Sequence, residues 1–320
     1  MGEPLRIGVV GLGAVGGWLA ARLALAGHQV TGFVRSERLR SMADGLQLQA
    51  DGATFAAPVR LSDQPYEPQD VLIIATKATG LAAAAEWSRP LIGPETAILP
   101  LQNGVPFWFA GDEPLRSVDP AGRIAAALPA RQLVAGVVHA AVRSPAPGEI
   151  VLVHADKLIL GEPHGGHSDR VERLAGLFTA AAVPAVADPD VRRAIWYKLW
   201  GNCTLNPLSA LTRASCDQVL ADPDLRRFIA AGMADAAAVG AAIGCPISES
   251  ADARMAVTAR LGAFKTSMLQ DLEAGRPLEL DALLGAPREL GRRHGVPTPA
   301  LDQLDALVRT LAANLGLLPK

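Results

Sequence analysis

Apolar and polar residues follow two rhythms along this chain, and the change of rhythm divides it. Leu5–Val10 (LRIGVV) is a short, mostly apolar run closed by glycine, the pattern of a strand buried on both faces of a parallel sheet. Ala14–Ala26 follows with a helical pattern and stops at Gly27. Gln29–Val34, Val71–Ala75 and Ala97–Leu101 predict three more buried strands, with an Ala-rich helix over Thr79–Trp87. Strands alternating with helices predict a parallel sheet with right-handed crossovers. After Gln132 the pattern changes. Leu133–Arg143, Glu149–His154 and Lys157–Leu160 predict three strands, and their short links suit antiparallel pairing. Ser168–Ala182 predicts a further helix. From about Asp188 a helical period takes over, with helices expected over Val191–Leu211, Pro223–Ile243, Ser248–Leu261, Lys265–Ala274, Asp281–Arg293 and Pro299–Leu315. The expected organisation is an α/β nucleotide-type domain over residues 1–187 and an all-α domain over 188–320.

Composition narrows the class. A chain of 320 residues is long for one core, which agrees with two domains. Half of the residues are hydrophobic and 19% are charged, a globular profile, and the formal net charge of −2 favours no nucleic-acid partner. The three cysteines, Cys203, Cys216 and Cys245, form no CxxC and read as free thiols in a reducing compartment. Ile7–Ala21 is uncharged and apolar, but Glu3 precedes it, five glycines interrupt it and Arg22 ends it short of the roughly 20 residues a membrane span needs. It reads as strand, turn and helix, and a cytoplasmic protein without membrane association is the expectation. His164-Gly-Gly-His167 offers two imidazoles without a clear third ligand and reads as a turn, so no metal is expected.

Gly11-Leu12-Gly13-Ala14-Val15-Gly16 matches GxGxxG, directly after a strand and at the start of a helix. In that context Gly11 permits a tight turn, Gly13 lets a pyrophosphate approach the backbone, and Gly16 lets helix and strand pack closely. The helix N-terminus then offers free N–H groups to phosphates. Arg35 follows the second strand, with Arg38 and Arg40 close behind, where an NAD site usually carries an acid. An arginine there suits the additional phosphate of NADP.

Reduction of a ketone by such a cofactor requires a proton donor for the oxygen and groups to hold the substrate. Lys198, Asn202 and Asn206 recur every four residues, so a helix aligns them on one face among Trp196, Leu199, Trp200, Cys203 and Leu205. A lysine in apolar surroundings has its pKa lowered toward neutrality, as an acid catalyst needs. A snorkelling lysine and two asparagines bonded to their own helix explain the same spacing. Lys77 and Asn103 follow two of the predicted strands at the carboxyl edge, where ligands bind in such sheets. Ser267 has no evident structural task, whereas Glu279 and Asp281 also suit a helix N-terminus.

Five blocks in order, GLGAVGG, TKAT, LQNGV, WYKLWGNCTLNPLSALT and KTSMLQDLEAGRPLELDALLG, resemble the ketopantoate reductase (2-dehydropantoate 2-reductase) family over essentially the whole chain. The resemblance implies a Rossmann-type domain joined to a helical domain of the 6-phosphogluconate dehydrogenase C-terminal type. It implies an oxidoreductase acting on CH–OH groups that uses NADPH to reduce a small-molecule 2-oxo acid. By default the substrate is 2-dehydropantoate, which becomes pantoate in pantothenate and coenzyme A biosynthesis. Lys198 is then the general acid, and Glu279 binds substrate and helps set the state of Lys198. Asn103, Asn202, Asn206 and Ser267 hold the substrate, with Lys77 and Asn103 beside the cofactor. The family pattern is departed from after Asn103, where Phe107, Trp108 and Phe109 begin a longer segment running to about Ala130. An aromatic loop there would reshape the pocket and favour a different, bulkier 2-oxo acid, whereas a surface insertion would not. A same-fold reductase of another 2-oxo acid and a non-catalytic NADP(H)-sensing protein are the other readings, and a homodimer is left open.

Overall fold

The computed structural model describes residues 3–111, 113–260 and 262–318. The first half of the chain runs β1 (Arg6–Val10), α1 (Ala14–Leu25), β2 (Gln29–Phe33), α2 (Ser36–Ser41), β3 (Leu46–Ala50), β4 (Ala53–Ala57), β5 (Arg60–Ser62), β6 (Gln69–Ile74), α3 (Leu81–Trp87), β7 (Ile92–Pro100) and α4 (Arg123–Ala127). It continues with β8 (Ala135–Arg143), β9 (Glu149–Gly161), α5 (Asp169–Ala180) and β10 (Ala185–Ala187). The helices that follow are α6 (Val191–Thr212), α7 (Cys216–Ala221), α8 (Pro223–Ala242), α9 (Ala251–Ala259), α10 (Ser267–Glu273), α11 (Ala286–Arg293) and α12 (Pro299–Asn314).

Five strands pair in the order β5-β2-β1-β6-β7, all parallel. Chain order reverses between β1 and β6, which makes their carboxyl ends the switch point where nucleotides bind in open α/β sheets. Ile7, Val9 and Ile73 are fully buried, the continuous apolar filling that a sheet covered on both faces demands. A second sheet runs β10-β9-β3-β4, with β8 antiparallel to β9. It covers the far side of α1: a Cβ at Gly17 would lie 2.4 Å from Ile150 of β9. Trp18, Leu19 and Leu23 are buried in the same helix, which is apolar on most of its circumference as a helix packed on both sides must be.

Three local expectations change. The hairpin β3–β4 was not foreseen; Asp51 and Gly52 make its turn at φ of 54° and 76°, both left-handed. Glu149–His154 and Lys157–Leu160 are one strand, β9. The presumed link is a bulge: Lys157 pairs His139 and Ala155 pairs Ala140, so Asp156 is the additional residue. Asp281–Arg293 is likewise not one α-helix, because Asp281–Gly285 is a π-helical turn and α11 starts at Ala286.

By internal packing the chain forms two units, residues 1–102 with 122–191, and 103–121 with 192–320. The observed division thus differs from a single cut after residue 187. Residues 103–121 lie with the helices: Phe109 stacks on Trp196, centroids 5.9 Å apart, under the Arg192 guanidinium at 4.8 Å. In that unit α6 presses onto α8. The Trp196 indole donates to the Ala236 carbonyl at 3.0 Å and Trp200 to Met233 at 2.8 Å. Gly240 permits the approach, since a Cβ there would lie 2.2 Å from the Trp196 indole nitrogen.

Candidate functional site

In the nucleotide-type unit the glycine turn leaves the end of β1 at the switch point. Gly11 has φ of 93°, and its N–H bonds the Phe33 carbonyl at 3.0 Å. A Cβ at Gly16 would lie 2.0 Å from the Gly11 carbonyl oxygen, so helix α1 could not start this close with any other residue. Over Gly13 there is nothing within 4 Å of a Cβ position. The turn is therefore tight beneath and open above. Leu12 is buried, and Ala14 and Val15 carry the first turn of α1, whose N–H groups lack a side-chain cap. The Thr76 hydroxyl, beside Gly11, is buried and has no hydrogen-bond partner among the described residues. Arg35 occupies the position before α2 without a side-chain cap and is exposed, while the Arg38 guanidinium reaches back to the Leu12 carbonyl at 3.3 Å. Lys77, half-buried, sits just after β6 at the head of a short 3-10 turn, Ala78–Gly80.

In the helical unit the Lys198 ammonium donates to the Asn103 side-chain oxygen at 2.9 Å. Burial pushes the Lys198 pKa down to about 8, and the carboxylate of Glu279 pulls it partly back up. Three predicted site residues from distant parts of the chain thus act on one another. Asn202, half-buried, and Asn206, buried, continue the polar stripe of α6 one and two turns on. Ser267 has a different setting, exposed at the first position of α10, where Thr266 caps the helix by accepting from the Leu269 N–H at 3.2 Å. Asn103, expected on the sheet edge beside the glycine turn, belongs to the helical unit. Phe107 and Phe109 are buried, so this aromatic segment anchors the chain rather than forming an open loop. Sequence reasoning missed Thr76, the tether from Arg38 to Leu12, and the π-helical turn. For the last of these a signal existed: Pro287 inside a run read as helix.

The model of the family described as Ketopantoate reductase PanE/ApbA matches residues 7–165, and that of its C-terminal part matches 190–312. The chain is 40% identical to the 2-dehydropantoate 2-reductase of Mesorhizobium japonicum, covering 98% of this chain and 99% of that protein. Among solved structures it resembles a provisionally named ketopantoate reductase from Ralstonia solanacearum MolK2, with a TM-score of 0.94 and 47% identity over 98% of this chain and 100% of the other. It also resembles the 2-dehydropantoate 2-reductase of Geobacter metallireducens GS-15, with a TM-score of 0.86 and 29% identity over 96% and 100% of the two chains.

Proposed function

The chain belongs to the ketopantoate reductase family, and from that premise we propose that it reduces the ketone of 2-dehydropantoate to the alcohol of pantoate with NADPH, a step toward pantothenate. The observation that carries this reading is the Lys198–Asn103 pair, an ammonium with a pKa of about 8 held at 2.9 Å by a neutral acceptor. An acid whose pKa lies near the working pH is matched to proton donation. The open turn over Gly13, the free N–H groups of α1 and the buried Thr76 hydroxyl fit a dinucleotide. Gly11, Leu12, Gly13, Ala14, Val15 and Gly16 would cradle its pyrophosphate, Arg35 its 2′-phosphate, and Lys77 and Asn103 would lie toward its nicotinamide end. When bound, NADPH supplies the hydride that adds to the carbonyl carbon.

Lys198 then gives a proton to the former carbonyl oxygen, and the neutral amine is recharged from solvent. Glu279 keeps Lys198 charged until that moment and accepts a hydroxyl hydrogen from the substrate. The amides of Asn103, Asn202 and Asn206 and the Ser267 hydroxyl hold the carboxylate and hydroxyl groups, so the carbonyl carbon is fixed while its charge changes. Burial of Phe107 and Phe109 supports the default substrate over a bulkier acid, because neither ring is left to line an open loop.

Absorbance of NADPH tests this directly, with ketopantoate beside a panel of 2-oxo acids and the best of them repeated with NADH. Turnover of ketopantoate with a preference for NADPH is expected. Turnover of a different acid alone would overturn the substrate, and equal rates with NADH would overturn the role of Arg35. NADPH binding without any turnover would favour a sensor.

A further inference from the structure

If Lys198 is the acid, the reaction depends on what holds Asn103. The next residue, Gly104, has φ of 88°, and a Cβ there would lie 2.5 Å from the Ala282 carbonyl oxygen. Val105 donates its N–H to that same oxygen at 2.9 Å. Both contacts thus fall on one carbonyl, and the sequence explains why it is available. In an α-helix the Ala286 N–H would bond Ala282. Here it bonds the Asp281 carbonyl instead, the wider spacing of a π-helical turn. The residue after it is Pro287, which has no N–H to offer. The Ala282 carbonyl is therefore left for Val105, and the chain beside Asn103 is drawn onto the turn.

The turn is itself anchored. Asp281 accepts from the Arg309 guanidinium at 2.7 Å, and the Arg309 Nε is shared by both carboxylate oxygens of buried Asp305 at 2.9 Å. At its other end Gly285 leaves room for the returning segment, since a Cβ there would stand 3.2 Å from Ser117. Glu279, the charged group that acts on Lys198, lies two residues before the turn.

We propose that the π-helical turn Asp281–Gly285 is the positioning element of this site: through Gly104 and Val105 it fixes Asn103, and so sets how tightly Lys198 holds its proton. Gly104, Ala282, Asp281, Arg309 and Pro287 are then positioning residues, none of which touches the reactants. The inference builds on the reductase reading, but its consequence at Lys198 can be measured without substrate.

The test is the pH dependence of Lys198 acetylation by acetic anhydride, read by mass spectrometry on the free full-length protein. Gly104→Ala crowds the carbonyl, and Asp281→Ala releases the turn, whereas Asp281→Asn keeps an acceptor for Arg309. Loosening Asn103 removes an acceptor from the ammonium, so the midpoint falls from about 8 by about 0.5 unit or more, roughly threefold in proton affinity. Asp281→Asn restores it. In kinetics, kcat drops about tenfold while KM for NADPH holds. An unchanged midpoint in the folded variants overturns the proposal, as does a shift in Asp281→Asn equal to that in Asp281→Ala. If Gly104→Ala does not fold, the Asp281 pair decides. A shifted midpoint in a protein that reduces no 2-oxo acid would sink the reductase reading and leave the positioning role standing.

Discussion

Burial lowers the Lys198 ammonium to about 8, so at neutral pH it is charged by a margin of about one unit. A general acid must be protonated, which fixes the sign of the pH dependence. For reduction, kcat/KM is expected to be level below about 8 and to fall about tenfold per unit above it. Oxidation of the hydroxy acid needs the neutral amine and should rise about tenfold per unit up to about 8 and level off above it. Lys198→Ala should lose about 100- to 10,000-fold in kcat and this limb of the profile, while NADPH binding, followed by its fluorescence, is retained. Linkage runs opposite to the reduction profile. The folded pKa lies below the ordinary 10.5, so the unfolded chain binds more protons between about 8 and 10.5 and the Lys198 contribution to stability rises with pH there. The stripe of Lys198, Asn202 and Asn206 was legible from its spacing, because one helix carries all three. The bond to Asn103 was not, because it joins residues 95 positions apart, and no local pattern reports such a contact. Ser267 was visible only through resemblance, since its exposed position at the head of α10 has no signature of its own.

Elements were read well where one period runs unbroken, as along α8 and α12, and also along α6 despite Pro207 inside it, but poorly where a single residue changes the local hydrogen bonding. Asp156 bulges out of β9 and made one strand look like two. The hairpin β3–β4 was readable in Leu46–Ala57 (LQLQADGATFAA), an alternating run around Asp-Gly, but short strands with few large apolar residues give a weak signal. In α11, burial works against the charge of Glu289. The N–H groups of Ser117 and Arg116, at 2.8 and 3.0 Å, and the Arg293 guanidinium outweigh it and hold its carboxyl below the usual carboxylate range. Arg293 also donates to the carbonyls of Glu113 and Pro114 at 3.0 and 2.6 Å. Glu289 and Arg293 together therefore fasten the aromatic segment, and Glu289→Ala, which leaves the part-buried Ser117 N–H without its acceptor, should cost about 1–3 kcal/mol, measured by urea unfolding. A depressed folded pKa gives stability that is present above the ordinary carboxylate range and lost as pH falls through the folded value. In the wild type the fastening should therefore weaken on acidification, and in Glu289→Ala that part of the pH dependence should vanish.

For the whole molecule, the alternation of strands and helices followed by helices alone predicted the fold class, because each rhythm belongs to one kind of layer. It did not show the excursion of residues 103–121, since a loop's destination is set by contacts with residues not yet reached in the sequence. A ligand that binds the folded state alone stabilises it, so NADPH at 100 times its Kd should add about 2.7 kcal/mol, seen as a raised melting temperature. NADH at the same concentration should raise it less if Arg35 grips the 2′-phosphate. No rise with NADPH would remove the dinucleotide from the reading. The excursion has one more consequence, in the order of synthesis. Residues 103–121 leave the ribosome before α6, the π-helical turn and α11 exist to receive them, a wait on the order of ten seconds at ordinary elongation rates. Through that interval Phe107, Phe109 and Leu115, all buried in the finished protein, have no folded surface to cover them. The nascent nucleotide-type unit must close its sheets around an exposed apolar loop, and a chain terminated at Val191 would carry that loop permanently, as a target for chaperones and proteases.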